Sequence, residues 1–90
     1  MKKNQNETVV TATKIICTEA RRETDTFTAI LGNGKEVFHA EVQMHYGTGG
    51  GWCVYRPVRW NGCGDLSLAV ILPTRAEAHQ YVQQMSTYLY

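Results

Sequence analysis

Ninety residues carry nine Lys and Arg against eight Asp and Glu, a net charge of +1, with 43% apolar residues. That size holds one modest core and no second domain. The balanced charge excludes a protein drawn to nucleic acid by bulk electrostatics, and equally an acidic mimic of the DNA backbone.

Residues 1–7 are polar and lysine-tipped, and read as a flexible terminus ahead of a single domain over 8–90. No apolar signal segment follows Met1-Lys2-Lys3 and no apolar run approaches the length of a membrane span, so a cytoplasmic protein without membrane contact is expected. Three cysteines, Cys17, Cys53 and Cys63, form no disulfide framework, and reduced thiols fit that compartment.

The run TVVTATKIICT, from Thr8 to Thr18, is rich in side chains branched at Cβ and reads as a strand. Glu19 to Thr24 reads as a solvated connection. Asp25–Leu31 and Lys35–Tyr46 flank Gly32-Asn33-Gly34, and Asn33-Gly34 suits a two-residue type I′ hairpin turn. Such a turn pairs Ala29 with Phe38, Phe27 with Ala40 and Thr28 with His39. One face is then apolar, continued by Val42, Met44 and Tyr46, and the other carries His39, Glu41, Gln43 and His45.

After Gly47 to Gly51, Trp52 to Val58 reads as a fourth strand, with Trp52, Val54, Arg56 and Val58 on one side. Pro57 lacks an amide proton and points to an edge strand or a bulge. Asn61 to Asp65 is turn chemistry, and the nearly continuous apolar run Leu66 to Leu72 points to a central strand. Thr74 followed three residues later by Glu77 forms a capping box, so a helix is expected from Arg75, with Ala78, Tyr81, Val82, Met85 and Leu89 as its apolar stripe. The predicted fold is α+β: an antiparallel sheet of about five strands with one C-terminal helix packed on one face.

The segment YGTGGGWCVYRPVRWNGCGD, Tyr46 to Asp65, concentrates glycines, aromatics and two arginines. Arg56 and Arg59 alternate with Trp52, Tyr55 and Trp60, a mixture of π faces and guanidinium planes common to protein hot spots and to nucleic-acid surfaces. With no acidic residue between Glu41 and Asp65, the segment is locally positive. Arg56, Arg59, Trp60, Tyr55 and Trp52, with His39 and His45 on the open sheet face, are therefore the candidate binding residues.

Catalytic and metal signatures are absent. Cys53 and Cys63 stand ten apart with no C-x-x-C knuckle, so no metal or other cofactor is expected. Cys17 and Cys53 read as small buried hydrophobes. His39 and Glu41, two apart on a strand, read as solvated neighbours rather than an acid-base pair, and the glycine run lacks the Lys-Ser or Lys-Thr of a phosphate loop. No enzyme is expected.

Small size, a sheet-plus-helix design, the Met-Lys-Lys-Asn start and the lack of catalytic residues resemble the inhibitors that phages and mobile elements encode against host defence, such as anti-CRISPR proteins. The resemblance implies a stoichiometric binder whose partner is a host protein or ribonucleoprotein, with local contact to RNA or DNA where that partner carries it. The alternatives are a small RNA or single-stranded DNA binding protein, and a homodimer paired through the exposed edge at Trp52 to Val58.

Overall fold

The structure, a computed structural model, describes residues 9–57 and 66–89. The expected N-terminal arm, the turn at 61–65 and the positions of Val58, Arg59, Trp60 and Cys63 lie outside the described residues. The chain runs β1 (Val9–Ala20), β2 (Thr24–Leu31), β3 (Glu36–Met44), β4 (Trp52–Pro57), β5 (Leu66–Leu72), α1 (Arg75–Gln84) and β6 (Thr87–Leu89). One antiparallel sheet has the order β5-β4-β3-β2-β1-β6, with α1 against β3, β4 and β5. The α+β architecture is the expected one.

Phe27, Ala40, Val42 and Val54 project from the sheet and are sealed by Ala78 and Val82 of α1. Each large side chain fully removed from water here contributes about 1.5–3 kcal/mol. A second cluster, Ala12, Ala29, Leu31 and Val37, lies on β1 to β3, and Ile15 packs against both clusters.

The β2-β3 hairpin departs from the expected register for a definite reason. Asn33 keeps a negative φ while Gly34 takes φ 86°, and Leu31 N–H donates to Lys35 O at 2.9 Å. The loop is thus the three residues Gly32 to Gly34, and Asn33 Oδ1 accepts from Lys35 N–H at 2.9 Å. Near the turn, Ala29 pairs with Val37 and Thr28 with Phe38, whereas Phe27 still pairs with Ala40. His39 is the extra residue, a bulge in β3, and it turns inward instead of joining the open face.

That inward turn has a use. His39 Nε2 donates to Val82 O at 2.9 Å, a carbonyl of the last helical turn that also accepts from the Met85 N–H at 3.3 Å. Arg56 Nε donates to the His39 carbonyl at 3.0 Å, and Arg56 Nη1 lies 3.5 Å from Met85 Sδ. The bulge, the helix end and Arg56 form one unit.

The helix starts as expected: Thr74 accepts from Glu77 N–H at 3.1 Å. It ends earlier than the apolar stripe suggested. Met85 is extended, Ser86 O accepts from Ala12 N–H at 2.7 Å, and Thr87 pairs with Thr11. Residues 87–89 complete a sixth strand on β1 instead of a last helical turn.

Two strand positions are exchanged relative to expectation. β4 lies inside the sheet between β3 and β5, with Pro57 at its end, and the apolar β5 is the edge. Five strands, each antiparallel to the next, leave the last one with a single neighbour among the described residues.

Candidate protein-docking face

The face of the sheet away from α1 is set by register. Thr24, Gln43, Cys53 and Ile71 stand side by side across β2 to β5, and Thr26, Glu41, Tyr55 and Leu68 form the next row. Ile16, Thr28 and Phe38 form a third row, and Pro57 pairs with Leu66. Read across the strands, the face has an apolar column on β5, Cys53 and Tyr55 on β4, Glu41 and Gln43 on β3, and threonines on β2.

The β5 column is the feature that hydrophobic burial does not explain. Leu66, Leu68 and Ile71 are 41%, 48% and 43% exposed on one edge strand, with no charged residue in LSLAVIL. Isolated exposed leucines are ordinary; these three share one strand and form a contiguous apolar strip. Ala69 is the extra residue of a bulge between the Val54-Val70 and Tyr55-Leu68 pairs, and it interrupts the free edge of β5.

Beside this strip, Glu41 makes no ion pair among the described residues. Tyr55 is half-buried, and its phenol is raised above the ordinary value by burial, by the Cys53 thiol and by the charge of Glu41.

The sequence-predicted residues scatter. His39 is fully buried, and burial outweighs its bond to Val82 to pull its pKa down to about 4. Arg56 is on the helix face, and burial lowers its guanidinium pKa. Trp52 packs against the core with the Arg75 guanidinium 4.7 Å above its ring. His45 lies past the end of β3, its Nδ1 against Gly50 O at 3.1 Å, where it braces the glycine loop. Tyr46, expected on the apolar face, is exposed with its hydroxyl donating to Glu23. Among the described candidates only Tyr55 lies on the open face, and with Arg56 turned away the local positive charge inferred from the sequence loses one of its two members.

A second polar group, unforeseen in the sequence, fastens α1 to the sheet. Asp25, 1% exposed, accepts from Arg75 Nε at 2.8 Å and Nη2 at 2.7 Å and from His79 Nε2 at 2.7 Å. Arg75 also donates to the carbonyls of Arg21 and Arg22, and His79 meets Phe27 edge-on at 4.9 Å. Burial pushes the Asp25 carboxyl up, but the bonds and charges of Arg75 and His79 together outweigh it and hold it below its ordinary value. The Asp25 carboxylate, the Arg75 guanidinium and His79 Nε2 are all engaged in holding structure, which suits a clamp rather than a reactive site.

Cys17, expected to be buried, is exposed, and Cys53 is buried; both are free thiols. No group of three or more His, Cys, Asp or Glu gathers as metal ligands among the described residues. No described helix is long and apolar enough to cross a membrane. No protein family, curated protein or solved structure matches this chain.

Proposed function

We propose that this chain is a non-enzymatic binding protein that docks its open sheet face, at the β4-β5 end, on another protein. In the setting implied by its resemblance to anti-CRISPR proteins, it is a stoichiometric inhibitor that occupies a working surface of a host defence complex. The observation that carries the reading is the exposed column Leu66, Leu68 and Ile71 on an edge strand without charges. A monomer gains no stability from the part of these side chains left in water, whereas desolvated aliphatic and aromatic side chains supply much of interface energy.

The neighbouring chemistry favours protein over nucleic acid as the partner. Glu36 and Glu41 on β3 would repel phosphates, and Arg56 is engaged on the other face. The test is capture from bacterial lysate by wild type and by Leu68→Glu, each with and without nuclease. A protein retained by wild type after nuclease and lost with Leu68→Glu supports the reading. Capture that vanishes with nuclease makes RNA or DNA the ligand, and equal capture by both proteins removes the β5 face.

A further inference from the structure

The open face also describes what would cover it. Resting on the docking role proposed above, we infer that the occupant is an amphipathic helix of a partner protein, apolar along one stripe and carrying Lys or Arg along the flank that meets β3.

The geometry of the face sets the element. From β3 to β5 is two interstrand spacings, about 9.5 Å, the width of one helix laid on a sheet. On the opposite face α1 already covers the same three strands. A second helix would complete a three-layer arrangement, burying Leu66, Leu68, Ile71 and Tyr55 beneath it. An added strand is the poorer solution: the Ala69 bulge breaks the free edge of β5, and a strand beyond that edge would stand about 14 Å from β3, three spacings away.

The charge of the face sets the flank. Glu41 shares a row with Tyr55 and Leu68, and Glu36 lies further along β3. Among the described residues no basic side chain of β3 to β5 projects on this face, because Arg56 is turned to α1. A helix seated on the leucines therefore meets carboxylates along one side, and complementarity calls for basic residues there.

A second copy of this chain does not supply that helix. The exposed residues of α1 are Ala76, Glu77, Gln80, Gln83 and Gln84, which offer neither an apolar stripe nor a positive charge.

The test uses three fluorescent probes: an 18-residue helical peptide with leucines on one face and lysines on its flanks, the same peptide with glutamates for lysines, and an 18-nucleotide single-stranded DNA. Each is titrated by anisotropy with wild type, Leu68→Glu and Glu41→Lys, after far-ultraviolet circular dichroism confirms that the variants fold. Wild type is expected to bind the lysine peptide about tenfold more tightly than the glutamate peptide, Glu41→Lys to cancel or invert that preference, and Leu68→Glu to weaken both. If Leu68→Glu weakens both peptides but the two bind equally, the face stands and the basic flank is wrong. If Leu68→Glu changes nothing, the docking face itself is wrong. Failure of wild type to bind the lysine peptide, or preference for the DNA, overturns the inference.

Discussion

Replacing Asp25 by Asn tests the clamp that holds α1 to the sheet. The substitution keeps shape and volume, removes the charge, and sets an amide N–H₂ against donors from Arg75 or His79. Hydrogen bonds to a charged group contribute about 1.5–3 kcal/mol each, and breaking a buried ion pair costs about 3–5 kcal/mol. Arg75 and His79 are 34% and 39% exposed and recover water when the carboxylate is lost, so the lower part of that range applies. The expected loss is about 2–3 kcal/mol, a fall in Tm of roughly 10–20 °C for a domain of this size.

The pH dependence of that loss is fixed by the direction of the shift. The folded carboxyl sits below its ordinary value of 3.8, so the unfolded chain takes up the proton first as pH falls. The stability Asp25 contributes is complete above about pH 4 and drains away as pH drops through the folded value. Urea unfolding of wild type and Asp25→Asn at pH 7 should differ by the full amount, and at pH 2 by much less. A gap under about 0.5 kcal/mol at pH 7, within the ordinary scatter of surface substitutions, would refute the clamp. An equally large gap at pH 2 would refute its ionic character.

Three further outcomes follow from other contacts. His39, with a pKa lowered to about 4 against 6.5, resists protonation in the folded state while the unfolded chain accepts it. Stability should therefore rise by up to about 3 kcal/mol between pH 4 and 6.5, and His39→Gln should flatten that segment of a stability-pH curve. Thr74→Ala removes the oxygen that accepts from Glu77 N–H and should cost about 1 kcal/mol by urea unfolding. Gly51 has φ 104° and a Cβ there would lie 2.9 Å from Leu72 O, so Gly51→Ala should destabilise by about 1–3 kcal/mol, whereas Gly49→Ala, with open space around it, should cost less.

Much of the fold was legible because it depends on local pattern. The branched run of β1, the alternation of β2 and the Thr74-Glu77 box each determine an element without reference to the rest of the chain. Two failures are tertiary. Nothing local marks His39 as a bulge; it turns inward because the last turn of α1 offers the Val82 carbonyl. The apolar stripe reaching Leu89 was misleading because β1 had a free edge for residues 87–89.

The site was less legible than the fold, and for one reason. An apolar run such as Leu66 to Leu72 has the composition of a central strand, so it pointed away from the surface, while aromatics and arginines pointed toward it. Trp52 and Arg56 instead serve α1 and its ends. Connectivity held the missing signal: the fifth strand of a meander has one neighbour in its sheet, so its side chains on the face away from α1, Leu66, Leu68 and Ile71, are the least covered.

The most direct measurement is photo-crosslinking in bacterial lysate, with benzoylphenylalanine placed at Leu68 in one sample and at Gln80, on the outer face of α1, in another. Docking through the open face predicts a discrete crosslinked protein from position 68, insensitive to nuclease, and none from position 80. A partner crosslinked from position 80 and not from position 68 would contradict it.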